Sequence, residues 1–212
     1  MKLLILQGSP RANGNSSLLA GAAAEGAKEA GYEVTCVQIA DILQGFLRDC
    51  RTCRKEDGEC SIEDQFRNVF FEQYLTADGV VFSTPLYWYG VSGQVKTFLD
   101  RTFCYYAASY PQSDTVVSGM CGKRIGLLIS SEETFPTAPA GVIHQMQEFS
   151  RYTRSHFVGV VQGIGNKRGD VLRDPCRPCE RARDLGRTFF SQHLSDYQID
   201  TPRPGSVWAE SP

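Results

Sequence analysis

The chain has 212 residues, of which 42% are hydrophobic and 22% charged, with a formal net charge of −2. That length suits one sizeable core plus an appendage, and the near balance of charge leaves no basic footprint for nucleic acid. Its longest apolar runs, such as 3–6 and 125–129, fall far short of a bilayer span. The N-terminus lacks the long apolar stretch and small-residue cleavage site of an export signal, so a cytoplasmic protein without membrane insertion is expected.

Lys2 to Gln7 is a short apolar run stopped by Gly8 and reads as a buried strand. From Ser16 to Ala30 the residues Leu18, Leu19, Ala22, Ala23, Gly26, Ala27 and Ala30 recur at helical spacing, and Gly31 ends the segment. Glu33 to Ile39 reads as a second strand. The polar, cysteine-bearing stretch from Asp41 to Ser61 reads as a long connection with at most a short helix. Asp64 can cap a helix that carries Phe66, Val69, Phe70 and Tyr74. Gly79 to Thr84, closed by Pro85, is a third strand, followed by a helix from Gly93 to Cys104 with Val95, Phe98 and Leu99 inward. Tyr105 to Gly122, rich in Ser, Tyr and Gly, reads as a loop.

Lys123 to Ser130 is a fourth strand, then a loop from Glu132 to Ala140 leads to a helix over Gly141 to Thr153. His156 to Val161 is a fifth strand and Pro175 to His193 a last helix. Residues 1–195 thus form one domain, and residues 196–212, with three prolines and no periodicity, form a tail or arm. Strands alternating with helices imply a parallel sheet covered on both faces. The expected fold class is α/β, a flavodoxin-like doubly wound five-stranded sheet of order 2-1-3-4-5. Ligands of such sheets sit at the carboxyl ends of the strands near the switch point, which singles out the loops after Gln7, Thr84 and Ser130.

The first of these loops runs from Gly8 to Ser17 and opens directly into a helix, whose unpaired amides and positive dipole end suit an anion. Ser9, Ser16 and Ser17 add hydroxyls, Asn15 an amide and Arg11 a cation; the bland alternative is that Asn15 or Ser16 merely caps the helix. A nucleoside triphosphate loop needs Lys and Ser or Thr after its second glycine, and a dinucleotide loop needs G-x-G-x-x-G. Neither is present here. Cys-x5-Arg is absent as well, and no acidic residue follows strand 1, so a monophosphate held without metal remains, with FMN the leading candidate. In the second loop Tyr87, Trp88 and Tyr89 are consecutive. They suit a flat apolar wall for a ring, with backbone amides beside Gly90 available to it; a hydrophobic lid or subunit contact is the plainer use.

Gly8-Ser9-Pro10-Arg11 with Gly14-Asn15-Ser16, then Thr84-Pro85-Leu86-Tyr87 and Ser92-Gly93-x2-Lys96-x3-Asp100-Arg101, resemble the NAD(P)H-dependent FMN reductase family over roughly residues 2–192. The resemblance implies noncovalent FMN, hydride received from NADH or NADPH, and transfer to a quinone, free flavin or similar small acceptor. It also implies a homodimer or homotetramer with the flavin near a subunit interface. Ser9, Arg11, Asn15, Ser16 and Ser17 would hold the phosphate, Pro85, Leu86, Tyr87, Trp88, Tyr89 and Gly90 would line the ring, and Ser130 and Ser131 would close the site. No side chain needs to be an acid–base catalyst, because the flavin takes the hydride. His144, His156 and His193 are read as structural. The alternative function is an FMN carrier passing single electrons between protein partners, which is usually more acidic than this chain.

Iron–sulfur flavoproteins, a related branch, carry C-x2-C-x2-C-x4–7-C after strand 2. Here Cys50, Cys53 and Cys60 keep that register, but Leu47 stands where the first cysteine belongs. A four-iron cluster normally takes four thiolates. Cys176 and Cys179 follow strand 5, at the opposite sheet edge, four strand spacings or roughly 19 Å away. Neither a cluster nor a metal is therefore expected, and free or redox-sensitive thiols are.

Overall fold

The computed structural model describes residues 1–191. The last helix, expected over Pro175 to His193, starts at Pro178 and gives way to a turn after Thr188; residues 192 and 193 and the arm from 196 to 212, with Trp208, lie outside the described residues. Five strands, β1 (Lys2–Gln7), β2 (Glu33–Gln38), β3 (Gly79–Pro85), β4 (Arg124–Ser131) and β5 (His156–Ile164), form one parallel sheet of order β2-β1-β3-β4-β5. The expected order holds, and β5 runs three residues beyond the expected end.

Strand alternation explains the two layers. Leu3 and Ile5 of β1, Val81 of β3 and Leu128 of β4 face α1 (Asn15–Glu29) and α8 (Pro178–Thr188). Leu4, Leu6, Val80, Phe82, Leu127 and Ile129 face the other way, onto the aromatic and aliphatic side chains of the remaining helices. Those helices are α4 (Phe66–Val69), α5 (Gly93–Tyr106), α6 (Ser113–Met120) and α7 (Ala140–Tyr152). Short helices α2 (Ile39–Ile42) and α3 (Cys50–Cys53) punctuate the connection after β2, and a 3-10 turn, Asp170–Arg173, precedes α8.

Two elements depart from expectation. The segment after Asp64 is a single α-turn that widens into a π-helical turn, Phe70–Tyr74; Phe66, Phe70 and Tyr74 stack there with centroids 5.6 and 5.4 Å apart, so ring packing sets the winding. The stretch expected as a loop from Tyr105 to Gly122 contains α6. Its Ser, Thr and Gly residues have weak helix propensity, but Val116 and Met120, one turn apart, are fully buried, and packing overrides propensity.

The glycines of α1 and α8 permit an unusually close crossing. A Cβ at Gly26 would lie 1.9 Å from the Arg183 carbonyl oxygen, and one at Gly186 would lie 2.0 Å from that of Ala23. Across the same seam Arg183 pairs with Glu29 and, at 3.7 Å, with Glu25.

Candidate flavin site at the switch point

The three loops singled out in the sequence meet at the carboxyl ends of β1, β3 and β4. Gly8 turns directly beneath α5, where a Cβ would strike Val95 Cγ2 at 2.3 Å. Its amide donates to the Ser83 carbonyl at 2.7 Å, and Ser92 Oγ donates to the Gly8 carbonyl at 2.7 Å. Ser92 also caps α5 by accepting from the Val95 amide, while its own amide donates to Thr84 Oγ1 at 2.9 Å. Ser83 Oγ donates to the Ser16 carbonyl and the Leu86 amide to the Ser130 carbonyl, each at 2.8 Å. Apart from the Ser92 cap and the Ser92–Thr84 bond within the second loop, these bonds join segments distant in the chain, so buried polar pairs hold the loops together.

Within the first loop the side chains divide. Ser9 Oγ accepts from the Arg11 amide at 3.1 Å, and Ser17 Oγ donates to the Arg11 carbonyl at 3.1 Å, so both hydroxyls brace the turn. Ser16 and Ser130 share a hydrogen bond of 2.8 Å between their hydroxyls. Arg11 is exposed on the rim. Asn15 departs from the expected role. Its Nδ2 donates to the carbonyls of Gly165 and Lys167, both at 3.0 Å, and its Oδ1 accepts from the amides of Gly169 at 2.9 Å and Val171 at 3.4 Å. Both amide protons are consumed, so Asn15 fastens the segment after β5 to the start of α1 instead of offering a donor to an anion.

The backbone supplies what Asn15 does not. The cap residue of α1 is Gly14, which has no side chain to satisfy the first turn. The amides of Ala12, Asn13, Asn15, Ser16 and Ser17 have no acceptor among the described residues. Three unpaired donors in the first turn of a 15-residue helix and two in the loop just before it, with hydroxyls and a cation at the rim, fit one phosphate group.

The second loop is a two-residue hairpin turn closed by reciprocal bonds between Tyr87 and Gly90, at 3.1 and 3.0 Å. Trp88 and Tyr89 sit at φ 49° and 59°, the left-handed conformation such turns require and that aromatic residues rarely adopt. Gly90's own amide is therefore spent on the turn, while the Trp88 and Tyr89 amides beside it have no acceptor among the described residues. Trp88 is 98% exposed, Tyr87 and Tyr89 are partly exposed, and Tyr89 lies 6.0 Å from Phe135. Pro85 is buried at the end of β3, and Leu86 is half-buried beside it. Ser131 is also buried, accepting from Gln162 Nε2 at 3.0 Å and donating to the Glu133 carbonyl at 3.1 Å.

Beyond this site, Arg101 carries an unexpected buried ion pair. It faces Asp64, both side chains being 1% exposed, with one Nη2 to Oδ1 contact at 3.0 Å. Asp64 still accepts from the Phe66 amide as the expected cap does, and also from Gln44. All eight cysteines are free thiols. Cys50 and Cys60 pack against the α5 side of the sheet and Cys179 against the α1–α8 side. Among the described residues no group of three or more His, Cys, Asp or Glu side chains is arranged to hold a metal ion, and no helix is long and apolar enough to cross a membrane.

Residues 1–161 match the family described as NADPH-dependent FMN reductase. A Bacillus subtilis protein named as an NAD(P)H-dependent FMN-containing oxidoreductase is 25% identical over 174 residues, covering 82% of this chain and 91% of the relative. An iron–sulfur flavoprotein of Methanocaldococcus jannaschii is 35% identical over 102 residues, covering 48% of this chain and only 52% of that relative. Among solved structures, an FMN-dependent NADH-azoreductase of Bacillus anthracis in complex with FMN superposes with a TM-score of 0.66 at 14% identity, covering 89% of this chain and 99% of that one.

Proposed function

Because the chain belongs to the NADPH-dependent FMN reductase family, we propose that FMN binds at the switch point and that NADH or NADPH is oxidised there for a small acceptor. The acceptor class we favour is a quinone, a free flavin or a similar conjugated molecule; the structural neighbour is named for azo compounds. The observation that carries this reading is the set of five unpaired amides in the turn before α1 and its first residues, which suits a single phosphate.

In this reading those amides, with the hydroxyls of Ser9, Ser16 and Ser17 and the guanidinium of Arg11, hold the phosphate. Hydroxyl protons can turn from their present acceptors toward it. Pro85 to Gly90 form the wall of the ring site, where the Trp88 and Tyr89 amides are donors, and Ser130 and Ser131 close the far side. Bound FMN supplies the hydride chemistry, and the protein supplies position and polarity. The exposed aromatic turn at Trp88 is the surface a second copy would cover in a dimer or tetramer. Eight unpaired thiols suit a reducing, cytoplasmic setting.

Flavin fluorescence titration tests the phosphate site. The protein is expected to bind FMN at micromolar levels or better and riboflavin far more weakly. Arg11→Ala, on the exposed rim, should weaken FMN about ten- to a hundredfold, the range of one charge-assisted hydrogen bond, and leave riboflavin unchanged. Equal loss for both ligands would remove Arg11 from the phosphate. Steady-state oxidation of NADH and NADPH by the flavin-loaded protein, with a quinone as acceptor, tests the reaction. Flavin that binds but never turns over with either nucleotide replaces the enzyme by an electron carrier.

A further inference from the structure

On the β2 side of the molecule, independent of the flavin loops, a cleft of about 490 Å³ lies between residues 44–68 and Tyr105. Cys60 lines it. Behind Cys60 stands α5, whose Arg101 brings Nη2 to 3.9 Å from the Cys60 sulfur. Arg101 cannot swing away, because Asp64 holds it in the core and the Phe66 ring lies 4.4 Å from its guanidinium carbon. It also keeps one buried N–H, at Nε, without an acceptor among the described residues. One turn further along α5 stands the buried Cys104, in the apolar cluster that Cys50 and Cys60 pack against, so that its thiol neighbours the Cys60 sulfur.

We propose that Cys60 is a hydroperoxide-reactive thiol and that Cys104 resolves it to a Cys60–Cys104 disulfide. The two sulfurs differ as an attacking and a resolving thiol must. The neighbouring Cys104 thiol, the Ile62 amide and the Arg101 charge together pull the Cys60 thiol down to about 5, against the cost of its burial. Cys104, beside that sulfur and itself buried, is pushed up and stays protonated. The lining favours a small neutral oxidant over a charged disulfide substrate, since Lys55 is paired with Glu63 at 3.1 Å and Arg67 with Glu59 at 2.9 Å.

The chemistry balances in two steps. The Cys60 thiolate attacks one oxygen of the hydroperoxide, the O–O bond breaks, and the leaving oxygen takes a proton from water, leaving a sulfenic acid on Cys60. The Cys104 sulfur then attacks the Cys60 sulfur, the S–O bond breaks, and the departing hydroxide takes the Cys104 proton as water. Two thiols are oxidised to one disulfide and one peroxide is reduced to two oxygens at the level of water or alcohol. A cellular dithiol reverses it by exchange.

Hydrogen peroxide at a few equivalents is the probe, applied to the full-length protein. Intact mass should fall by two hydrogens, and peptide mapping should join Cys60 to Cys104. At about pH 6, iodoacetamide should alkylate Cys60 at least about tenfold faster than any other cysteine, because only a depressed thiol is ionised there; this readout needs no variant. Cys60→Ser should abolish the mass loss, and Cys104→Ala should stop at a sulfenic acid that dimedone traps. A disulfide mapping to Cys50 and Cys53, a Cys60 that stays reduced while exposed Cys36 or Cys121 oxidises, or a thiolate-bound metal in the isolated protein would overturn the assignment.

Discussion

Asn15 uses both amide protons and its carbonyl oxygen on residues 165–171, which makes it the rivet between the first helix and the last crossover. Asn15→Ala leaves the Gly165 carbonyl and the Gly169 and Val171 amides without these partners in a part-buried seam, while the Lys167 carbonyl keeps the Asp170 amide, at a cost of about 1–3 kcal/mol for such a loss. Urea unfolding should show that loss, with FMN affinity reduced far less than by Arg11→Ala; the reverse ranking would return Asn15 to the phosphate. Cys60 makes a prediction of opposite character, in pH. Its folded thiol lies at about 5 against an ordinary 9.0, so between those values the unfolded chain holds a proton the native chain has lost. Stability from this group therefore rises with pH across that window, is complete above about 9, and disappears as pH falls through about 5. Cys104 adds the opposite trend above its ordinary range, because the native chain keeps a proton the unfolded one gives up. The difference between wild type and Cys60→Ser, measured by urea midpoints from about pH 5 to 9, should grow with pH; a flat difference would show that Cys60 is an ordinary thiol.

At the scale of the element, α1 and α8 approach so closely that the two glycines of α1 in comparable helical settings should respond with opposite signs. Gly21 faces solvent, with nothing within 4 Å of a Cβ there, whereas a Cβ at Gly26 meets the Arg183 backbone at 1.9 Å. Gly21→Ala should stabilise by up to about 1 kcal/mol through helix propensity. Gly26→Ala should cost about 1–3 kcal/mol, because the α8 backbone must move. Thermal unfolding of the two variants reads both signs, and two changes of the same sign would mean that the helices part easily. Gly26 was legible in the sequence as an inward position of an apolar face, and so were β1, β3 and β4, because strands covered on both sides must be continuous apolar runs. Helix α6 was not legible, since its only signal is the pair Val116 and Met120 amid Ser, Thr and Gly. Nor was the meeting of Cys60 with Cys104, 44 positions apart along the chain. Cys104 does share an α5 face with Arg101, but α5's contact with the residue 50–64 segment is a tertiary fact that no spacing encodes.

At the scale of the whole molecule, the candidate site does not belong to any one element. Its parts come from residues 8–17, 84–90 and 130–131, and the sheet order β2-β1-β3-β4-β5 alone brings them to one edge. The sequence showed each loop as odd in composition, and the parallel topology made their meeting place predictable; it did not show which donors would be consumed inside the protein, because Asn15 and the Gly90 amide find their partners only after folding. A ligand held by such an assembly binds the native chain and not the unfolded one, so its binding energy adds to global stability. At FMN a hundredfold above its dissociation constant that gain is about 2.7 kcal/mol, which for a chain of this size corresponds to a rise of about 5–10 °C in the unfolding midpoint. Riboflavin at the same concentration should give a small fraction of that rise, because the amides at the start of α1 gain nothing from it. Inorganic phosphate alone should produce a modest rise of its own, since it occupies those amides without the ring. A midpoint indifferent to FMN in a fully folded protein would leave the unpaired amides of residues 12–17 without an occupant and would remove the basis of the flavin assignment.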